Sequence, residues 1–301
     1  MALNSSGPIS LGGSTSGQSI NLELSQSATA QISLNDNNVR TLAGVASGAI
    51  SIPADFWGKS TSIAVTYLIV GGGGGGGTST AGGGGGAGGI AEGSTTLPVT
   101  SYAITVGAGG AALTDGGSSS FNSVIAGGGQ AGFTGLAYQG AIGGTSGTPQ
   151  SYAGGAAVGG SYNERGGGGG GAGGPGGDYT STSGGNGGAG YTSSITGTSQ
   201  TFAGGGGGGA VWSYTVGLGT AGGGDGGHNG GSNTNPTNGS TWGAGGGGGG
   251  IGGLGADGAV IITYDSATQR FSGGTITSYS GGTSGTIWVH TFTSSGTLSP
   301  A

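Results

Sequence analysis

Seven consecutive glycines, Gly71–Gly77, follow directly on the apolar segment SIAVTYLIV, and this junction constrains the fold more than any other part of the chain. Four further tracts follow, at Gly82–Gly86, Gly166–Gly171, Gly204–Gly209 and Gly245–Gly250. An α-helix is disfavoured there, because each interior glycine costs about 1 kcal/mol relative to alanine. A collagen helix needs glycine at every third position and abundant proline, whereas this chain has 7 prolines. Two interpretations remain: a flexible linker and a bundle of extended left-handed helices of the polyproline II shape.

The balance between ordering cost and hydrogen bonding decides between these two interpretations. Ordering a residue costs about 1–2 kcal/mol of backbone entropy, and a buried hydrogen bond returns about 0.5–1.5 kcal/mol. Glycine helices can approach closely enough to pair their amides, because no side chain separates them. For the tracts alone, the entropy cost and the hydrogen-bond gain nearly cancel. Flanking strands and large side chains must therefore stabilise the bundle. Such side chains lie at or near the tract ends, namely Tyr102, Phe121, Tyr191, Phe202, Trp212, Tyr214, Trp242, Ile251 and Leu254. A linker would have no use for them, and the sequence therefore favours an ordered bundle.

Composition excludes several classes of protein. The 301 residues include 89 Gly, 4 Lys+Arg, 10 Asp+Glu and no Cys. So low a charge is unlike a disordered chain, and four scattered cations form no nucleic-acid patch. Without cysteine there is no disulfide and no thiolate metal site. The chain has no apolar run long enough to cross a bilayer, and its N-terminus lacks the features of a signal peptide. We therefore expect neither nucleic-acid binding nor membrane insertion.

The strand signals lie between the glycine tracts. Apolar or alternating segments predict strands within 62–70, 101–109, 119–128, 193–205 and 258–265. The first and last of these bracket the glycine region, so we expect them to pair and to close one domain over residues 61–265. The segments TITSY and TIWVHTF then predict a hairpin-like appendix over residues 266–301.

Residues 1–60 read as a separate small module. The alternation of Ile20, Leu22 and Leu24, repeated at Ile32 and Leu34, predicts strands. The segment SLNDNNVRTLAG predicts a short helix that is capped at Asn35 or Asp36 and stops at Gly44. A short strand and the aromatic pair Phe56 and Trp57 close the module. It is too small to hold a large core, so we expect it to dock on a partner.

Catalytic and metal-binding patterns are weak. His228 follows Asp225 at the spacing D-x-x-H, but two ligands do not make a metal site, so a polar loop is the favoured interpretation. His290 shares a strand face with Trp288 and Phe292 and is expected to be a packed or surface residue. No tract precedes a helix that could hold a phosphate. The sequence thus predicts no catalytic residue, no cofactor and no metal, and it assigns residues 162–165 to a solvated loop.

The aromatic residues between the tracts are the better functional candidates. They are Tyr138, Tyr152, Tyr162, Tyr179, Trp212, Tyr214 and Trp242. Aromatic side chains among Ser, Asn and Gly have the composition of an adaptable binding surface. The other interpretation is that these rings cap the ends of the bundle and shield them from water. The sequence leaves both open.

Two stretches resemble tailed-phage proteins. Residues 1–60 resemble the N-terminal segment shared by many tailed-phage structural and tail-fibre proteins. The stretches YLIVGGGGGGG, YAITVGAGG, SSITGTSQTFAGGGGGG and GADGAVIITY resemble the glycine-rich domain of phage tail fibres. The better-known adhesins of that type lack the N-terminal module, which suggests that this chain attaches directly to the virion.

The resemblance implies a fold and a function. The expected fold is mostly β with packed polyglycine II-type helices, a β/polyglycine sandwich preceded by the attachment module, to which Phe56 and Trp57 belong. The expected protein is a non-enzymatic virion component, a tail fibre or fibre-like appendage that helps attachment to the host. Its expected partners are other tail proteins, through the N-terminal module, and a host surface glycan or outer-membrane protein. Because the family is oligomeric, the resemblance also implies a homotrimer, although a bundle could close within one chain. The alternative is a structural, decoration or baseplate protein that binds no receptor.

Overall fold

The computed structural model describes residues 3–56, 62–134, 147–149, 151–159, 163–229 and 234–301. Strands take up 28% of the residues and helices 5%, so the fold is mostly β, with antiparallel sheets. Two compact units can be separated: residues 1–65 with 95–100, and residues 66–94 with 101–301. The predicted domain bounds at 60, 265 and 301 remain predictions.

The N-terminal unit has a small apolar core. It contains helix α1 (Ile20–Glu23), helix α2 (Asn37–Ala43) and a 3-10 turn (Ala54–Phe56). Helix α2 is confirmed with its predicted ends, since Asp36 is the N-cap and Gly44 ends the helix at φ 76°. The predicted strands are wrong: Ile20 begins a helix that Ser19 caps through its hydroxyl, and residues 32, 34 and 50 lie in irregular backbone. Three apolar residues at alternate positions are too few to distinguish a strand from one turn of helix.

The larger unit is built on two five-stranded sheets. The first has the order β12-β13-β10-β1-β2 and the second the order β11-β14-β3-β4-β5. The first sheet consists of β1 (Ser62–Val70), β2 (Ile90–Pro98), β10 (Ala259–Asp265), β12 (Thr275–Ser280) and β13 (Thr286–Phe292). The second consists of β3 (Tyr102–Thr105), β4 (Ser119–Phe121), β5 (Val124–Ala126), β11 (Phe271–Ser272) and β14 (Gly296–Pro300). Two small pairs complete the set: β6 (Tyr191–Ser193) with β7 (Gln200–Phe202), and β8 (Ala210–Val211) with β9 (His228–Asn229).

The predicted pairing of the first and last strands is confirmed. Strand β1 runs antiparallel to β10, with Leu68 opposite Ile261. Both strands are nearly continuous apolar runs because both faces of the sheet are covered. On one face Leu68 and Val70 join the core that includes Phe202. On the other face Tyr67 makes an edge contact with Phe121 of the second sheet, at 6.0 Å between ring centroids.

The predicted C-terminal hairpin forms, but its strands belong to the sheets. Strand β12 pairs with β13 as expected. Strand β13 also pairs with β10, and β14 pairs with β3. Residues 266–301 therefore complete both five-stranded sheets of the larger unit.

Two other predicted strands are each broken into a hairpin. Within 119–128, Asn122 and Ser123 have φ of 46° and 66° and form a two-residue turn between β4 and β5. Two positive φ values in a two-residue loop are typical of a turn that matches the twist of paired strands. Within 193–205, Gly197 at φ 89° lies in the turn between β6 and β7.

The residues of the five glycine tracts are buried, except Gly250 at the end of the last one, and their interior residues have neither helical nor strand hydrogen bonding. Their amides bond to other tracts and to other small-residue segments instead, and the neighbour recurs every three residues. In the tract 71–77, every third amide donates to the same neighbouring segment. The amides of Gly71, Gly74 and Gly77 donate to the carbonyls of Gly89, Gly86 and Gly83. Those of Gly72 and Gly75 donate to Gly117 and Thr114, and those of Gly73 and Gly76 donate to Ala256 and Gly253. The carbonyls of this tract accept hydrogen bonds with the same spacing. Gly72 and Gly75 accept from Gly129 and Gly132, Gly73 and Gly76 accept from Gly110 and Leu113, and Gly74 and Gly77 accept from Gly246 and Gly249. The direction of the backbone groups therefore repeats after three residues.

Close approach explains why these positions are glycine. A Cβ added at Gly72, Gly85 or Gly206 would lie closer than 3.0 Å to carbonyl atoms of a neighbouring segment, which for Gly85 and Gly206 is another tract. Real Cβ atoms do not make such contacts, so a side chain here would push the tracts apart.

Asp and Asn side chains supply acceptors around the outside of the tracts. Asp115 accepts from the Ala131 amide at 2.7 Å, and Asn238 accepts from the Leu254 amide at 2.9 Å. The same contact is made by Asp178 with Ala156, Asp225 with Gly219, Asp257 with Gly109 and Asn186 with Leu218. Much of the small acidic content is thus used to bind backbone amides that have no further tract beside them.

Candidate binding surface

The tracts have two distinct ends. Strand β1 enters the first tract at Gly71 and strand β10 follows Gly258, and we call this the strand end. At the opposite end, which we call the far end, Gly77 donates to Gly83, Gly249 donates to Gly77, and Gly209 donates to Gly82. Turns and irregular segments connect the tracts there.

Four large apolar side chains are exposed at the far end. Leu113, Phe133, Trp212 and Ile251 have exposed fractions of 47%, 54%, 51% and 59%. The Leu113 amide donates to Gly76, and Gly83 donates to the Phe133 carbonyl, so both residues lie around the last turn of the first tract. The Trp212 amide donates to Asn229, whose side chain lies beside Gly250, next to Ile251. Exposed apolar side chains gathered on one surface mark sites of interaction.

A buried arginine lies at the same end, immediately before the third tract. The Arg165 guanidinium carbon is 4.2 Å from the centroid of the Tyr214 ring and 5.4 Å from that of Tyr179. Its Nη1 donates to the Ser181 carbonyl at 2.6 Å. Its Nε is buried and has no hydrogen-bond partner in the described part of the chain. Arginine between two aromatic faces is stabilised by the negative potential of those faces.

The prediction of a solvated loop at residues 162–165 is wrong for its two charged residues. Glu164 and Arg165 are each 4% exposed. Burial of Arg165 is favoured because Tyr179 and Tyr214, distant in sequence, provide the two aromatic faces. The positions of these three residues in the sequence do not predict that their side chains are in contact.

His228 fixes the backbone beside Tyr214. Its Nε2 contacts the Tyr214 carbonyl, and the Tyr214 hydroxyl donates to Asn163 Oδ1 at 2.7 Å. Asp225, the other half of the D-x-x-H pattern, accepts instead from Gly219. Within the described ranges no three His, Cys, Asp or Glu side chains are grouped to hold a metal.

A groove of about 590 Å³ adjoins this cluster. It is lined by Ser183, Asn186, Ser213, Tyr214, Thr215, Val216, Leu218 and His228. Leu218 is 57% exposed at its edge. The lining combines apolar side chains with hydroxyl and amide groups, as protein–protein interfaces do.

The structure separates the seven predicted contact aromatics. Tyr179, Trp212 and Tyr214 lie at the far end. Trp242 lies at the strand end, where its ring centroid is 5.9 Å from that of Phe202. Tyr152 is 38% exposed, on a segment beside Gly170. Tyr138 and Tyr162 are outside the described residues, as is Trp57 of the attachment module. Phe56 is fully buried in the N-terminal core.

Several exposed residues were missed or misinterpreted by sequence reasoning. Leu113 and Phe133 carried no signal, because each is a single apolar residue among small and polar ones. Ile251, Leu254 and Trp212 were expected to stabilise the bundle by packing, but they are 59%, 48% and 51% exposed. The isolation of Ile251 and Leu254 between glycines is a pattern that could have indicated their exposure, since a core residue usually has apolar neighbours along its own element.

No helix in the described ranges has the length and hydrophobicity needed to cross a membrane. Comparison with known proteins gives one result: the model of the glycine-rich domain family matches residues 46–265. No curated protein and no solved structure matches the chain. The family match covers most of the chain, both five-stranded sheets contribute strands to it, and all five glycine tracts lie inside it. The chain therefore belongs to the glycine-rich domain family.

Proposed function

We propose that the tracts are helices of the polyglycine II type. The return of hydrogen bonds to the same neighbour every three residues supports this proposal, because such a helix has three residues per turn and no internal hydrogen bonds. Six different segments bond to the 71–77 tract, as expected for a rod surrounded by equivalent rods. The predicted sandwich of β-sheet and polyglycine helices follows from this proposal.

We propose that the protein is a non-enzymatic component of a phage virion, a tail fibre or fibre-like appendage. Its expected partners at the N-terminal module are other tail proteins, and its far end contacts a host surface glycan or outer-membrane protein. The observation that carries the proposal is the grouping of Leu113, Phe133, Trp212 and Ile251, all exposed, at one end of the tracts. A scaffold joined by backbone hydrogen bonds would hold such side chains in place, and rigid presentation lowers the entropic cost of binding.

Adsorption of the purified protein to host cells tests the receptor-binding part. We expect it to bind the cells and to block infection by the phage. Substitution Ile251→Ser should weaken binding about tenfold or more, because an exposed apolar anchor is lost. Ile125→Ser is the matched control, since Ile125 is 60% exposed on strand β5, away from the far end. Equal binding by the two variants would refute the far end as the contact surface.

The other parts of the proposal have separate tests. If the protein neither binds host cells nor blocks infection, the alternative of a structural, decoration or baseplate protein replaces the adhesin. Loss of host capsule on incubation with the protein would overturn the non-enzymatic assignment. A density map of the particle would locate the chain on the virion and identify the neighbour of its N-terminal module. Sedimentation analysis would test the proposed homotrimer.

A further inference from the structure

The strand end carries a second groove, of about 760 Å³, far from the cluster around Arg165. Phe202, Trp242 and Ala256 supply its apolar surface. Polar side chains surround them, namely those of Gln200, Thr201, Ser240, Thr241, Asp257 and Thr293. No cation is among the described residues that line the groove. Its size is within the range of sites for small molecules.

Trp242 is held in place but is only partly buried. Its ring packs on Phe202 at 5.9 Å, with an angle of 55° between the ring planes. Its carbonyl accepts from the Ala203 amide at 3.0 Å, and a turn closes beside it where the Ala244 amide donates to Thr241. The indole is therefore anchored on one side and open to the groove on the other.

The polar groups around the groove are also fixed, and some have bonding capacity left. Asp257 Oδ1 accepts from the Gly109 amide at 2.7 Å, which orients the carboxylate and leaves Oδ2 available. The Thr241 hydroxyl donates to Ala221, which fixes the turn that carries Trp242. The Gln200 side chain makes no hydrogen bond within the described ranges, so its carboxamide offers donors and an acceptor to a ligand. The groove thus offers both donors and acceptors beside an aromatic ring.

We infer that this groove binds a neutral carbohydrate, a short oligosaccharide laid against Trp242. The face of an indole is negative, and it attracts the weakly positive C–H groups that line one side of a pyranose ring. The ring hydroxyls need both donors and acceptors, which Gln200 and Asp257 supply. The Asp257 carboxylate disfavours an acidic sugar, because no described cation in the lining would offset the repulsion between the two negative charges. The inference rests on the proposed attachment function for its biological meaning, and it names the ligand class of a second site.

Binding of the full-length protein to a printed array of neutral oligosaccharides tests this inference. The probes include linear trimers of glucose, mannose, galactose and N-acetylglucosamine, with trigalacturonic acid as the acidic comparison. We expect binding to at least one neutral glycan and not to the acidic trimer. Trp242→Ala should weaken that binding about tenfold or more, and Gln200→Ala, on the exposed rim, should weaken it without affecting the fold. Ile125→Ala is the matched control, because Ile125 is an exposed apolar side chain outside the groove lining and away from the far end, and it should leave sugar binding unchanged.

The outcomes separate this inference from the proposed function. Failure to bind any neutral glycan, or binding that Trp242→Ala and Gln200→Ala leave unchanged, overturns the carbohydrate site. If the protein still adsorbs to host cells in that case, the attachment function stands without this groove. If a neutral glycan binds through Trp242 but the protein does not adsorb to host cells, the attachment function fails and the site remains.

Discussion

Replacing a single glycine inside a tract by alanine should destabilise the protein strongly. Gly246 is the best position, because its amide donates to Gly74 and its carbonyl accepts from Gly85, which ties it to two other tracts. A Cβ there would lie closer than 3.0 Å to the carbonyl carbon of Gly253. The backbone of Gly246 is not left-handed, so alanine is disfavoured there by contact alone.

The magnitude follows from the displaced neighbour. Overpacking costs about 1–3 kcal/mol, and a buried backbone group that loses its partner costs about 1–3 kcal/mol more. Alanine also restricts the unfolded chain, which offsets about 0.4–1 kcal/mol. The free energy of unfolding should therefore fall by about 1–5 kcal/mol, with a central value of about 3 kcal/mol. That is about one third of the roughly 5–15 kcal/mol by which folded proteins are typically stable.

Gly250→Ala is the matched control, because it lies in the same tract. Gly250 is exposed, and a Cβ there would meet the Asn229 side chain at 3.4 Å, an ordinary contact. Urea unfolding followed by tryptophan fluorescence measures both variants. We expect the midpoint of Gly246→Ala to fall by about 1 M relative to wild type and that of Gly250→Ala to stay within a few tenths of a molar. Equal midpoints for the two variants would refute the close packing of the tracts.

Three further predictions concern the polar groups of the larger unit. Burial lowers the pKa of His290, whose ring is bonded to Gly273 and to the Tyr264 hydroxyl. The unfolded chain therefore binds more protons than the folded protein below about pH 6.5. The free energy of unfolding should be highest above that pH and should fall by up to about 2 kcal/mol by about pH 5. Urea unfolding of His290→Gln should show a flatter pH dependence, and an unchanged pH dependence would contradict this role of His290. Arg165→Lys should lower the free energy of unfolding by about 1–2 kcal/mol, because a lysine cannot stack between two rings as a planar guanidinium does; an unchanged urea midpoint would contradict the stacking. Asp115→Ala should cost about 1 kcal/mol through loss of the bond from the Ala131 amide, and Asp115→Asn should restore most of it; faster hydrogen exchange at Ala131 in the alanine variant alone is the specific measurement, and equal exchange in both variants would count against the bond.

Local rules on the sequence were sufficient where each residue's own side chain decides the structure. The apolar run of β1 gave that strand its bounds, and Asp36 and Gly44 gave the ends of helix α2. The same rules failed at Ile20, where alternation over a few residues fits a strand and a helical turn equally well. They also failed at Arg165, because its aromatic partners are 14 and 49 residues away along the chain, at Tyr179 and Tyr214.

The glycine tracts show this division most clearly. Their length and position were readable from the sequence, and so was the need for close backbone contact, because glycine alone lacks a Cβ. The choice of neighbour was not readable, since one glycine is identical to the next and carries no information about which side faces which tract. The paired strands β1 and β10, together with the turns and Asp side chains around the bundle, fix those neighbours. Tertiary structure therefore decides which side chains reach the far end, and with them the candidate binding surface.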